Sequence, residues 1–80
     1  MERKAIAILI SPTGERFYEA YGPMVTNKKN AMKFKNKTIA LGAAMNRFGR
    51  GEQGFWESER KHFKAAYEEY KGWTIEVREI

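Results

Sequence analysis

Between Glu19 and Glu52 the chain has no acidic residue, while Lys28, Lys29, Lys33, Lys35, Lys37, Arg47 and Arg50 place seven positive charges there. Ammonium and guanidinium groups at this density bind anions, either the phosphates of a nucleic acid or the carboxylates of an acidic protein groove. Lysine runs are also ordinary solvated surface, so position has to decide. Four of the seven stand just before a predicted helix start at Asn36, and Lys37 falls in its first turn. The helix macrodipole is positive at that end, so each cation costs a few tenths to about 1 kcal/mol there. Stability alone favours Glu at such positions. Lysines beside the free N–H groups of a helix start form an anion site, and these seven residues are the predicted contact set.

Other motifs carry less. Gly49-Arg50-Gly51-Glu52-Gln53-Gly54 fits the G-x-G-x-x-G pattern, but the dinucleotide fingerprint needs a strand before it and a βαβ unit around it. A predicted helix precedes it, which leaves a glycine-rich connection from which Arg47 and Arg50 can reach a phosphate. His62 is the single histidine, with Ser58 and Glu59 four and three residues before it. A nucleophilic site needs a third orienting group, and a carboxylate–histidine metal site needs ligands from several helices. Neither is present, and His62 reads as exposed surface. The glutamates are not paired on one face as acid–base catalysis requires. Phe17, Tyr18 and Tyr21 could stack bases, but a small sheet needs such rings for its core; Tyr18 is the one expected to face outward. Trp56 and Trp73 are expected in the core. The chain is therefore expected to be no enzyme and to carry no cofactor or metal.

The elements that must position the basic segment follow from periodicity. Arg3 to Ile10 is apolar on both alternating faces, the pattern of a strand inside a sheet. Ser11-Pro12-Thr13-Gly14-Glu15 is turn chemistry, and Arg16 to about Tyr21 closes an antiparallel hairpin. Ala31, Met32 and Phe34 are spaced for one helical turn against the core. Asn36 is a helix N-cap, and a helix to Phe48 buries Ile39, Ala40, Ala43, Ala44 and Phe48, with Gly49 as its stop. Phe55 to Lys71 has helical periodicity, with Trp56, Phe63, Ala66, Tyr67 and Tyr70 on one face and i,i+4 charge pairs on the other. Trp73 to Ile80 alternates as a strand, with Thr74, Glu76 and Arg78 outward. The predicted fold is α+β in the order β-β-α-α-β, a three-stranded sheet with an N-terminal antiparallel hairpin and two helices on one face.

Eighty residues suit one compact domain spanning positions 1–80. A content of 42% hydrophobic and 14% aromatic residues is too apolar for disorder. With no Cys, disulfide scaffolds, thiolate catalysis and Cys-ligated metals are excluded. The longest apolar run, Ala5 to Ile10, is too short to span a bilayer, so a soluble cytoplasmic protein without membrane contact is expected. Net charge is +5, but outside the basic segment the chain carries eight bases against ten acids. The excess is local. The strand from Arg16 to Tyr21 is the sheet edge most able to pair with a second copy, and the oligomeric state stays open.

Asn30-Ala31-Met32-Lys33-Phe34-Lys35-Asn36, running on through Ala40, and the closing Gly72-Trp73-Thr74-Ile75-Glu76-Val77 resemble a pattern that recurs in small proteins of bacteriophages and other mobile elements. There, a strand pair leads through a Lys-Ala-x-x-Phe segment into a helix, and a Gly-Trp strand closes the chain. The likeness covers about half of this sequence. Asn30 departs from it, standing where Lys is usual, and so does the length of the second predicted helix. The resemblance implies a non-enzymatic protein that occupies a surface on a host machine, as the anti-CRISPR inhibitors do. The expected activity is binding to, and inhibition of, a host nucleic-acid-handling complex through the basic segment. The alternative is a plain nucleic-acid-binding module using the same residues. The expected partners are accordingly a host protein or nucleoprotein complex, nucleic acid itself, or both.

Overall fold

A computed structural model describes residues 3–49, 53–57, 60–63 and 67–80. Its elements are β1 (Ala5–Ile10), β2 (Arg16–Tyr18), α1 (Lys37–Arg47), β3 (Gln53–Glu57), β4 (Arg60–Phe63) and β5 (Thr74–Glu79), with 3-10 turns at Lys28–Asn30 and Glu68–Tyr70. β1 is buried on both faces, all six residues being at most 6% exposed. A strand apolar on both sides needs a neighbour along each edge, and β1 has them. β2 pairs antiparallel with it through Ile8–Tyr18, Leu9–Phe17 and Ile10–Arg16. β5 pairs antiparallel along its full length, from Ala5–Glu79 to Ile10–Thr74. These three strands form an antiparallel sheet that β4 and β3 extend to the order β2-β1-β5-β4-β3.

The fold is α+β, with one α-helix among the described residues instead of two. Within Phe55–Lys71, predicted as a second helix, the chain forms most of β3, all of β4 and the turn Glu68–Tyr70. The physical reason is the exposed edge of β5. A helix there leaves that strand's N–H and C=O groups unpaired, whereas β4 pairs with them through Arg60–Glu76, Lys61–Ile75 and His62–Thr74. Helical i,i+4 charge pairs are worth only about 0.2–0.5 kcal/mol each and do not outweigh a hydrogen-bonded ladder. Aromatic content also favours strand. The expected core role of Trp56 lies outside the described side chains.

α1 packs on one face of β1 and β5. Asn36 Oδ1 accepts from the Ile39 N–H at 2.9 Å, capping the helix as expected. Gly49 follows with φ +90, the left-handed conformation that ends helices. Ala40, Ala44, Met45 and Phe48 are buried against Ala5, Ala7, Leu9, Phe34, Ile75 and Val77. Ile39, expected inside, is exposed because the buried stripe follows the Ala40–Ala44–Phe48 row. Phe48 stacks on Tyr70 at 4.7 Å between ring centroids and meets the edge of Trp73 at 6.1 Å, while Trp73 also meets Phe17 at 5.5 Å. The turn at Glu68–Tyr70 delivers Tyr70 to this cluster.

On the opposite face, Ile6, Ile8 and Ile10 pack with Ala31 and Tyr18, so Tyr18 joins a core layer instead of facing solvent. Glu76, expected outward, is buried on this face, its Oε2 2.7 Å from Arg78 Nε and 3.8 Å from Arg16 Nη1. β2 is a sheet edge, as expected, but Val25 covers it in part by exchanging both backbone hydrogen bonds with Tyr18.

Candidate functional site

The basic segment is threaded between strand contacts. Val25 is paired to Tyr18, with N···O distances of 2.7 and 3.0 Å. Asn27 Oδ1 then accepts from the Lys29 N–H at 2.9 Å, which starts the 3-10 turn carrying Lys28 and Lys29. Ala31 and Phe34 are buried, and Met32, which shares their predicted turn, is exposed. The Met32 N–H donates to the Glu19 carbonyl at 2.9 Å, and Phe34 pairs with Ala5 through two bonds of 2.8 and 2.9 Å. Asn36 follows and starts α1. The apolar residues of this stretch thus anchor it while its lysines stay in solvent.

This threading brings Lys28, Lys29 and Lys33 together. With Asn27, Ile6 and Ile80 they line a cavity of about 500 Å³. A neighbouring depression of about 530 Å³ shares Lys33 and Ile80 and adds Arg3 and Lys4. Among the described residues, neither lining contains an acidic side chain. Among the described residues, no carboxylate lies within ion-pair distance of Lys28, Lys29 or Lys33, and Arg3 is 4.0 Å from Glu79 at an exposed position. Five cations therefore border these two depressions, with Ile80 as the exposed aliphatic residue they share.

Arg3 and Lys4 stand outside the predicted set because they precede the acid-free stretch in the chain. The Ala5–Phe34 bridge carries the start of β1 alongside the basic segment, and Ile80 donates its N–H to the Lys4 carbonyl at 2.9 Å. One signal could have located them: Arg3-Lys4 leads directly into the one strand that is apolar on both faces. Such a strand must be central, and its entry must lie beside other segments.

The remaining predicted residues are placed elsewhere. Lys37, at the start of α1, lines a separate depression of about 380 Å³ with Val77, Arg78 and Glu79. Lys35 is exposed and lines none of these three depressions. Arg50 lies outside the described residues.

Arg47 is the correction. It is not a free cation but an internal tie. Its Nε and Nη2 donate to Oε2 and Oε1 of Glu19, both at 2.7 Å, and Nη2 also donates to the carbonyls of Ala20, at 3.3 Å, and Gly22. Glu19 is buried. A bidentate charge-assisted pair of this kind is specific to arginine. The hydrogen bond to Glu19 is the main cause that holds the Arg47 pKa above its ordinary value, against the opposing effect of burial. Arg47 therefore spends its charge on the acid that bounds the basic segment, 28 residues away in sequence.

What the cavity can do chemically is hold an anion, or several in series, while offering aliphatic surface to whatever the anion is attached to. Among the described residues no group of three or more His, Asp or Glu could hold a metal ion, and no helix is long and apolar enough to cross a membrane. Comparison of the chain with family models, curated proteins and solved structures returns no match.

Proposed function

We propose that the chain is a non-enzymatic binding protein that engages nucleic acid, alone or within a host complex that handles it. The observation that supports this reading is the clustering of Lys28, Lys29, Lys33, Arg3 and Lys4 around two neighbouring depressions with no acidic side chain among their described lining residues. A structural role gives the four lysines of this cluster no ion-pair partner among the described residues, and their mutual repulsion costs stability. A polyanion with regularly spaced phosphates removes that cost and releases counterions on binding. The likeness to mobile-element proteins supports an inhibitory role toward such a complex.

Reversing Lys28, Lys29 and Lys33 to Glu tests the reading, since all three are exposed and the fold is expected to survive. Affinity for random-sequence DNA or RNA is expected to collapse. A variant neutralising the same three lysines as Gln should flatten the log–log salt dependence by about 2 to 3. Normal binding by the reversed variant refutes the site. Capture of the partner from a bacterial lysate with and without nuclease separates the two settings: nuclease should abolish it for naked nucleic acid and weaken it for a nucleoprotein complex. Absence of binding to any nucleic acid at low salt refutes the reading altogether.

A further inference from the structure

The basic cavity has a feature that phosphate binding does not use. Its lining includes Ile80 and the edge of the buried Ile6 beside Lys28, Lys29 and Lys33. Ile80 is 48% exposed and so presents apolar surface beside these cations. A purely electrostatic contact with duplex DNA presents sugar and phosphate to the protein and leaves that apolar surface facing water.

We infer that this cavity takes an unpaired base of a single-stranded segment, with the flanking phosphates on Lys28, Lys29 and Lys33 and the continuing strand on Arg3 and Lys4; this rests on the nucleic-acid reading proposed above. Single strands offer two chemistries at once, a polyanionic backbone and bases with exposed apolar faces. The cavity and its neighbour offer the same two in the complementary arrangement. At about 500 Å³, the open depression has room for a base. Five cations are also more than one amphiphilic carboxylate can use, which favours a polyanion over a fatty acid. Lys33 and Ile80 belong to both depressions, so a strand leaving one enters the other beside Lys33. Among the described residues the lining contains no aromatic ring, so the base is held by aliphatic contact, and little discrimination among bases is expected.

The test compares three fluorescein-labelled probes by anisotropy at low salt: an oligothymidylate of about 12 nucleotides, an abasic strand with the same phosphates, and a duplex of equal length. The oligothymidylate is expected to bind about tenfold more tightly than the abasic strand, the scale of burying roughly 50 Å² of apolar surface. Ile80→Ala should bring the affinity ratio of the oligothymidylate to the abasic strand close to one. The substitution keeps the backbone bond from Ile80 to Lys4, and a circular dichroism spectrum matching the parent confirms the fold. Equal binding of abasic and base-bearing strands, or tighter binding of the duplex, overturns the inference while the nucleic-acid reading stands. An equal loss on both strands in Ile80→Ala also overturns it. Absence of binding by every probe overturns the nucleic-acid reading, and the inference with it.

Discussion

Replacing Arg47 with alanine is expected to destabilise the fold by about 3 kcal/mol, at the lower end of the roughly 3–5 kcal/mol lost when one partner of a buried ion pair is removed. Glu19 has a side chain only 7% exposed, and loses two donors at 2.7 Å. The carbonyls of Ala20 and Gly22 lose a donor as well. The Arg47 side chain is 18% exposed, so water reaches part of the pair, which argues for the lower end. Against a total stability of roughly 4–12 kcal/mol for a chain of this length, that is a large fraction. With a urea m-value of about 1 kcal/mol/M, the midpoint should fall by about 3 M. Arg47→Lys keeps the charge but not the fork and should lose about 1–2 kcal/mol. Adding Glu19→Gln to Arg47→Ala should recover part of the loss, because the unpaired buried charge disappears. A loss below about 1 kcal/mol in Arg47→Ala, or no recovery in the double variant, refutes the reasoning. Because the folded-state pKa of Arg47 is raised, first by its hydrogen bond to Glu19, its contribution is present at neutral pH and fades only in strongly alkaline solution as pH rises. Folded Arg47→Ala protein should bind nucleic acid as the parent does, which separates a tie from a contact residue.

Asn36→Ala removes the acceptor of the Ile39 N–H and should cost about 1 kcal/mol, measured by urea unfolding, with faster amide exchange confined to the first turn of α1. Gly72 has φ +83, and a Cβ there would lie 3.0 Å from Pro12 Cγ; Gly72→Ala should therefore destabilise by roughly 1–2 kcal/mol in the same assay, and a neutral effect would show that the hairpin turn yields freely.

The parts of the fold that are legible in the sequence are those decided by local chemistry. Asn36 caps, Gly49 stops a helix, and six consecutive apolar residues from Ala5 demand a central strand. The β3–β4 hairpin is not legible, because helical spacing and strand propensity coexist in that stretch and the free edge of β5 decides between them. The candidate site divides the same way. Lys28, Lys29 and Lys33 stand out as an acid-free run, but the loss of Arg47 to Glu19 and the arrival of Arg3 and Lys4 depend on pairings between residues about 28 positions apart. Charge counted along a chain cannot anticipate charge cancelled or gathered across a fold.

The pairing of Phe34 with Ala5, of Met32 with Glu19 and of Val25 with Tyr18 has a consequence for the thermodynamics of whatever the lysines hold. Each backbone residue ordered on binding costs about 1–2 kcal/mol of conformational entropy, and a basic loop of this length that folds around its ligand gives up much of its affinity in that way. Here the ordering is complete when the domain folds. The remaining entropic cost on binding is that of the lysine side chains, roughly 0.5–1.5 kcal/mol each. Association should accordingly be fast, with no slow rearrangement phase, and the affinity of the cationic surface should track salt concentration far more closely than temperature-dependent loop order.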